Sequence, residues 1–267
     1  MTPKNLANRT IAILKKSGNP IDAAGARRYF KDYDQVYFCG VKSPLQQKIE
    51  RDMYGIVKGK WSVSEAFQYC SFLIRNKIHE CKNVGILLLS RYHRNYPQNL
   101  FQEADKWLAG NYCASWALVD ALCPLVLTPS LLKYPDELRR LKRWSRSKNL
   151  WLRRASVVTL IPLARHGQYL STSYQFVMAL SKDKEDLIHK ATGWLLREAG
   201  KTDPARLQKF LLAKGTRLPR TTVRYAIEKF PKETQQRLLL ETRPKDKTKN
   251  PQRKKQAKHQ LIRRGSQ

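Results

Sequence analysis

Acidic residues are scarce in this sequence. Its 267 residues include 21 Asp and Glu against 52 Lys and Arg, which leaves a formal net charge of +31. An excess of this size is larger than solubility requires and predicts a polyanionic partner, namely DNA, RNA or an anionic membrane surface. Apolar residues make up 42% of the chain, enough for the core of one large domain or of one repeat array.

The cysteines lack any metal-binding pattern. The five of them form no C-x-x-C pair and have no histidine at zinc-ligand spacing, and the five histidines form no cluster. A scattered, odd-numbered set is typical of reduced, mostly buried thiols in a reducing compartment. We therefore expect no metal site and no cofactor.

Targeting and membrane signals are also missing. The N-terminus has no apolar signal core, and the longest apolar run, around Gly85–Leu89, is too short to span a bilayer. We expect a cytoplasmic protein with no membrane partner. The sequence also has no Walker loop, no G-x-G-x-x-G and no G-x-S-x-G. These absences argue against nucleotide hydrolases, Rossmann enzymes and serine hydrolases.

What the chain does contain is helical periodicity. Apolar residues recur every three or four positions, and short loops rich in Gly, Pro, Asn and Asp separate the segments. The stretch Arg154–Leu160 resembles Lys190–Leu196 at an offset of 36 residues, and Thr221–Ile227 is a looser third copy. A period of this length predicts an all-α superhelical solenoid of HEAT- or armadillo-like repeats, in which equivalent positions converge on a concave basic surface.

The chain divides at about residue 242. Residues 1–242 read as one repeat domain, and residues 243–267 hold ten Lys and Arg against the single acid Asp246. This tail has few apolar residues and is predicted to be disordered. It accounts for +9 of the net charge of +31, so about +22 belongs to the domain. The tail is either a non-specific DNA tether or a solvated extension of little effect.

Trp116 and Asp120 are the first candidate site. Their four-residue spacing places an indole and a carboxylate on one face of an otherwise apolar helix. The carboxylate would stabilise a cationic, oxocarbenium-like sugar, and the aromatic face would lie against the same sugar. The alternative is a core tryptophan beside an aspartate that caps or pairs with a neighbouring helix, and the two residues alone favour this alternative.

Two further segments carry basic side chains. Arg153 and Arg154 follow Asn149, a possible N-cap, and would grip phosphates from a groove wall, with Arg154 as the inward one in the repeat register. The alternative for both is a solvated basic face. Lys190, Trp194 and Arg197 lie at i, i+4 and i+7. This basic–aromatic–basic stripe suits a nucleic-acid backbone, although a core helix is equally compatible with it.

Tyr29 and Lys42 flank an aromatic-rich stretch near the N-terminus. Ser43-Pro44 resembles a helix start whose free N–H groups would hold a phosphate. A packing loop with a surface lysine explains the same residues equally well.

Together these pieces resemble the AlkD-like DNA alkylation repair proteins, which are HEAT-like-repeat DNA glycosylases. The resemblance covers about residues 10–235. It rests on the order and spacing of Tyr29, Gly40-Val41-Lys42-Ser43-Pro44, Trp116-x-x-x-Asp120, Trp151-Leu152-Arg153-Arg154-Ala155 and Lys190-Ala191-Thr192-Gly193-Trp194-Leu195-Leu196-Arg197-Glu198.

The resemblance implies hydrolysis of the N-glycosidic bond of cationic alkylpurines, such as 3-methyladenine and 7-methylguanine, in duplex DNA and without base flipping. It implies that Asp120 is the catalytic carboxylate, that Trp116 and Trp194 contact the deoxyribose of the lesion, and that Arg154 is the groove arginine. The remaining basic and aromatic candidates would contact DNA; they are Tyr29, Lys42, Arg153, Lys190 and Arg197.

The sequence departs from the family pattern at three positions. Lys42 stands where members often have Gln, Ser115 where they often have a second Trp, and Ala117 where they often have an acid. Some relatives have lost catalysis, so a non-catalytic protein that binds branched or damaged DNA is the alternative function. A protein-binding scaffold is a third hypothesis, disfavoured by the charge of the domain. We expect a monomer that acts on double-stranded DNA and has no obligate protein partner.

Overall fold

The computed structural model describes residues 1–30 and 36–244. Within these residues the chain is all-helical, and its only β-type pairing is an isolated bridge between Tyr37 and Ile78. The predicted disordered tail lies outside the described residues, apart from Arg243 and Pro244. The α-helices are α1 (Pro3–Lys16), α2 (Pro20–Arg27), α3 (Ser43–Val57), α4 (Val63–Ile74), α5 (His79–Ser90), α6 (Leu100–Ala109), α7 (Trp116–Leu122), α8 (Thr128–Lys133), α9 (Leu138–Trp144), α10 (Leu150–Val158), α11 (Ile161–Arg165), α12 (Leu170–Ala179), α13 (Asp186–Thr202), α14 (Pro204–Lys214), α15 (Arg220–Ile227) and α16 (Lys232–Glu241).

The helices stack as a helical repeat solenoid, as the sequence predicts. One row consists of α3, α5, α7, α10, α13 and α15, each packed on the next. Most of the other helices pack against this row: α1 and α4 against α5, α6 and α9 against α10, α11, α12 and α14 against α13, and α16 against α15. Apolar side chains from both layers form one continuous core. The three repeat segments noticed in the sequence belong to α10, α13 and α15, so they lie side by side.

Local signals in the sequence set the helix starts that matter for the site. The Ser115 hydroxyl accepts the Leu118 N–H at the start of α7. The Asn149 side chain accepts the N–H groups of Trp151 and Leu152 at the start of α10. These caps satisfy backbone donors that have no partner inside the helix. They confirm Asn149 as an N-cap and fix the register of α7 and α10.

Helix α7 ends at Leu122, two residues after Asp120. Pro124 has no N–H to donate to the carbonyl of Asp120 four residues earlier, and a π-helical turn, Cys123–Leu127, follows. Asp120 therefore lies in the last turn of α7, next to an interruption in the regular helical ladder.

The segment Trp116–Lys133 is the one stretch of the described chain that is long and apolar enough, by length and composition, to cross a membrane. Asp120 interrupts its apolar residues, so it is not a continuous apolar run in the sequence. In the structure half of this segment is buried within the protein, and it is divided between α7, the π-helical turn and α8. That packing is typical of the core helix of a globular domain.

Candidate functional site

A cleft of about 460 Å³ brings together seven of the nine predicted site residues. Its walls come from α7, α10, α13 and α15, the last four helices of the stacked row, and from the segment after α2. The predicted residues in it are Tyr29, Trp116, Asp120, Arg154, Lys190, Trp194 and Arg197, and the additional lining residues are Asp186, Leu187 and Tyr225.

Asp120 and Arg154 form a bidentate ion pair at the base of this cleft. Arg154 Nε donates to Asp120 Oδ1 at 3.0 Å, and Nη2 donates to Oδ2 at 2.8 Å. Arg154 Nη1 donates to the Leu187 carbonyl at 2.6 Å. Arg154 is only 5% exposed, whereas the Asp120 side chain keeps 20% of its surface accessible. The guanidinium is therefore committed to holding the carboxylate, a different arrangement from the phosphate grip expected from the sequence.

The environment of Asp120 acts on its protonation in two opposing ways. Burial raises the pKa of the Asp120 carboxyl above its usual value, while the charge and hydrogen bonds of Arg154 oppose that rise. An Arg is always charged at physiological pH, so its bidentate pair favours the carboxylate form. The outcome is a carboxylate held in one orientation, whose accessible part faces the cleft.

Two half-buried indoles stand near this carboxylate. Trp116 lies one turn before Asp120 on α7 and stacks on Phe30, with ring centroids 5.2 Å apart and planes 16° from parallel. Trp194 contributes from α13, and Tyr225 from α15. Tyr29 is 78% exposed and forms the rim. A cation or a sugar that enters the cleft thus meets aromatic side chains together with the Asp120 carboxylate.

The other cations of the cleft also have acidic partners. Lys190 Nζ lies 2.8 Å from Asp186, one turn earlier on α13. Arg197 forms an ion pair with Glu228, and its Nε lies 3.5 Å from Glu198. The predicted stripe of Lys190, Trp194 and Arg197 is therefore present on one face of α13, but its charges are compensated.

Arg153 does not reach the cleft. Its Nε donates to Asp183 at 2.6 Å, and its Nη1 donates to the carbonyls of Ser147 and Lys148. These bonds tie the start of α10 to the turn before α13. The structure thus gives Arg153 an architectural set of partners, and its contact with DNA stays a prediction.

Comparison with known proteins adds the family. A family model described as DNA alkylation repair enzyme matches residues 10–230, a range that includes every predicted site residue. The chain belongs to this family. Among solved structures, a predicted DNA alkylation repair enzyme from Enterococcus faecalis is 20% identical, with a TM-score of 0.68 over 81% of this chain and 98% of that one. This likeness supports the helical fold. A search against curated proteins finds no match.

Lys42 lies outside the cleft. It borders an adjoining hollow of about 1050 Å³ that shares Tyr29 and Trp116 with the cleft. Lys42 precedes α3, as Ser43-Pro44 predicts, and its ammonium lies 3.2 Å from Asp22. The N–H groups of residues 39–41 all point to the buried carboxylate of Glu80, so they are not available to a phosphate.

Three lining residues of the cleft are not predicted from the sequence. Tyr225 occupies the same place in the third repeat copy as Trp194 in the second, so the repeat register held the signal for it. Asp186 lies one turn before Lys190, at the spacing of a helical ion pair. Leu187 contributes through its carbonyl, which no sequence pattern indicates. Within residues 1–30 and 36–244, no group of three or more His, Cys, Asp or Glu is placed to hold a metal ion.

Proposed function

We propose that this DNA alkylation repair enzyme is an AlkD-like glycosylase that hydrolyses the N-glycosidic bond of cationic alkylpurines, such as 3-methyladenine and 7-methylguanine, in duplex DNA. The observation that carries this proposal is the Asp120–Arg154 pair at the base of an aromatic cleft. A carboxylate fixed in one orientation beside two indoles is suited to positive charge that develops on a sugar.

Alkylation at N3 or N7 gives the purine a positive charge, so the base leaves as a neutral molecule without protonation. The C1′–N bond breaks, its electron pair goes to the base, and positive charge appears on the deoxyribose. Asp120 stabilises that charge, and the faces of Trp116 and Trp194 add to the stabilisation. A water molecule then forms the new C1′–O bond and releases a proton.

Arg154 is a positioning residue in this proposal. Its two hydrogen bonds fix the orientation of the Asp120 carboxylate. Its third bond, to the Leu187 carbonyl, anchors the guanidinium to α13. The electrostatic stabiliser is thus in place before the reaction begins, and no reorganisation is needed when charge develops.

The substrate range follows from the same residues. Among residues 1–30 and 36–244, the acidic groups lining the cleft are Asp120 and Asp186, and each is paired with a cation. Neither is placed as a general acid for a neutral leaving group, so we propose that neutral lesions are poor substrates. The family resemblance further implies cleavage without rotating the base into a pocket, a contrast with base-flipping glycosylases.

We further propose that the enzyme acts as a cytoplasmic monomer, without a cofactor. The described cysteines are all free and four are buried, which supports a reducing compartment. Hydrolysis of a cationic lesion requires only water and electrostatic stabilisation. A HEAT-like assignment of the repeats is part of the same proposal.

The test is release of 7-methylguanine and 3-methyladenine from methylated duplex DNA by the wild type and by Asp120→Asn. Loss of the carboxylate charge is expected to lower the rate by about 10²–10³-fold, with duplex binding retained. Asp136→Asn, which alters an exposed aspartate between α8 and α9, is the matched control and should leave the rate unchanged.

Two outcomes would contradict the proposal. Equal release by wild type and Asp120→Asn would remove Asp120 from the reaction. No release by either protein, with tight binding to duplex or branched DNA, would favour the alternative of a non-catalytic DNA-binding protein.

A further inference from the structure

A second concave surface lies beside α9, away from the cleft. It is a groove of about 560 Å³, which we call the α9 groove. Its lining contains four cations and one acid. The lining residues are Asp105, Arg139, Lys142, Arg143, Trp144, Arg146, Ser147 and Leu152.

The α9 groove and the cleft lie on opposite sides of α10. Leu152 lines the groove and Arg154 lines the cleft. Two residues at this spacing on an α-helix point about 200° apart. A ligand in the groove therefore does not compete with a ligand in the cleft.

The floor of the groove is held together by hydrogen bonds and ion pairs to one carboxylate. Asp105 on α6 accepts a hydrogen bond from Trp144 Nε1 at 3.0 Å and from Arg143 Nη2 at 2.8 Å, and Arg140 lies 3.5 Å away. Trp144 is fully buried and packs against Phe101. One carboxylate thus fixes α9 to α6, and its charge is used within the fold.

The outward face of α9 carries cations with little compensation. Arg139, Lys142 and Arg143 recur at i, i+3 and i+4, which places them in one stripe on α9, and Arg146 follows in the turn after the helix. Arg139 lies 3.9 Å from Asp136, but both side chains are more than 80% exposed, so the attraction is weak. In the part of the chain that the structure describes, the exposed side chains of Lys142 and Arg146 have no ion pair or hydrogen bond.

A purely structural explanation does not account for this stripe. Cations near the end of a helix interact favourably with its dipole, but that effect is confined to the last turn. Arg139 is in the first turn of α9, and Arg146 lies beyond its last residue. Four cations line one concavity, and among the described residues Lys142 and Arg146 have no acidic partner, so the surface is suited instead to an external polyanion.

We propose that the α9 groove binds the phosphate backbone of a second segment of duplex DNA, so that one molecule bridges two segments. Arg side chains form bidentate hydrogen bonds with phosphates, and a concave lining accommodates a convex backbone. None of residues 136–149 is an exposed large apolar residue, and membrane-surface helices need such residues. The proposal goes beyond the proposed glycosylase reaction and does not depend on it.

The experiment measures bridging by the full chain. An undamaged duplex is immobilised, protein is bound to it, and capture of a labelled second duplex is recorded across salt concentrations. The variant is Arg139→Gln/Lys142→Gln/Arg146→Gln. The matched control, Lys209→Gln/Lys214→Gln/Arg217→Gln, removes three exposed cations from α14 and the turn that follows it, so both proteins lose the same charge and keep the same tail.

The groove variant is expected to lose at least tenfold in capture of the second duplex, against twofold or less for the control. The slope of log affinity against log salt should fall by about two to three, because each lost phosphate contact contributes about 0.9. Equal losses in the two proteins would overturn the proposal, since net charge would then explain them. Absence of bridging by the wild type would also overturn it, as would preferred binding of duplex RNA or anionic vesicles through the same residues.

The two proposals fail separately. Bridging is measured on undamaged DNA, where no base is released, and Asp120→Asn should bridge like the wild type. The groove variant should in turn release 7-methylguanine from a short methylated duplex at the wild-type rate. Loss of bridging with intact release, or the reverse, therefore assigns each effect to one surface.

Discussion

The cleft and the α9 groove are two basic concavities on opposite sides of α10, and they differ in how many of their cations form ion pairs. In the cleft, Arg154, Lys190 and Arg197 each lie against an acidic side chain. In the α9 groove, Asp105 pairs with Arg143, Arg139 has only a distant exposed acid, and among the described residues Lys142 and Arg146 have no acidic partner.

The difference follows from burial. A charge withdrawn from water must be paired, so the buried Arg154 requires Asp120, and the pair gains a fixed geometry at the expense of long-range attraction. Exposed cations need no partner because water solvates them, and they stay available to a polyanion. The cleft is thus suited to chemistry on one residue of a ligand, whereas the groove is suited to attraction.

The largest expected effect is on the free energy of unfolding, when one arginine is removed from the cleft or from the groove. Arg154→Ala leaves the largely buried Asp120 carboxylate without its partner and should lower the free energy of unfolding by about 3–5 kcal/mol. The matched change Arg139→Ala in the groove should shift it by about 0.5 kcal/mol or less. Urea unfolding of both variants measures the contrast.

A second substitution identifies the cause of that loss. Adding Asp120→Asn to Arg154→Ala removes the uncompensated charge and should recover part of the lost stability. No recovery would mean that Arg154 stabilises the fold through its packing or its bond to Leu187, and the contrast between the two regions would no longer rest on charge pairing.

The next effect concerns the close packing that shapes the cleft. A Cβ at Gly193 of α13 would lie 2.5 Å from Tyr225 Cβ and 2.7 Å from the Thr222 carbonyl oxygen on α15. Gly193→Ala should therefore cost about 1–3 kcal/mol and displace Tyr225 from the cleft, with slower base release. Bridging through the α9 groove should be unaffected.

Gly55→Ala is the matched control for that change. Gly55 lies inside α3, and a Cβ there meets nothing within 4 Å. This substitution should stabilise the protein by up to about 1 kcal/mol, because Ala favours the helix more than Gly does. Destabilisation by both variants would mean that replacing a helical glycine is harmful in itself in this protein. The loss in Gly193→Ala could then not be assigned to the tight α13–α15 contact.

A pH series distinguishes the regions by their titrating groups. The carboxylate of Asp120 is its active form, and burial raises its pKa, so base release should decline at a higher pH than for an ordinary aspartate with a pKa of about 4. At a pH one unit below the pKa of Asp120, the rate of base release should be about tenfold below its maximum. Bridging should stay constant over the same range, because Lys and Arg titrate far above it.

The control for the pH series is circular dichroism at each pH, which detects unfolding. If release and bridging decline together while the fold is intact, the acid limb does not belong to Asp120.

The sequence predicts the helical solenoid and most of the cleft because both depend on local or periodic patterns. Four-residue spacing on α7 places Trp116 and Asp120 together, and the 36-residue repeat brings the stripe of α13 beside α10. Asn149 is recognisable as a cap because its hydrogen bonds are local.

Long-range pairing is what the sequence does not predict. Arg153 and Arg154 are adjacent, yet one bonds Asp183 and the other Asp120, at separations of 30 and 34 residues. No local pattern tells which acid a buried arginine will meet. For the same reason the total charge of the chain does not distinguish a compensated cleft from an uncompensated groove.

The smallest expected effect tests that compensation directly. Lys190 in the cleft and Lys142 in the groove are both partly or fully exposed lysines, but only Lys190 has an aspartate partner on its own helix. Lys142→Gln should lower the salt slope for undamaged duplex by close to one phosphate contact, about 0.9, in the bridging assay. Lys190→Gln should change the slope by less, because Asp186 already neutralises the charge that is removed.

An equal decrease in slope for the two variants would mean that DNA displaces Asp186 from Lys190 on binding. In that case the ion pairs of the cleft would exchange one anion for another, and its compensation would be a property of the free protein alone.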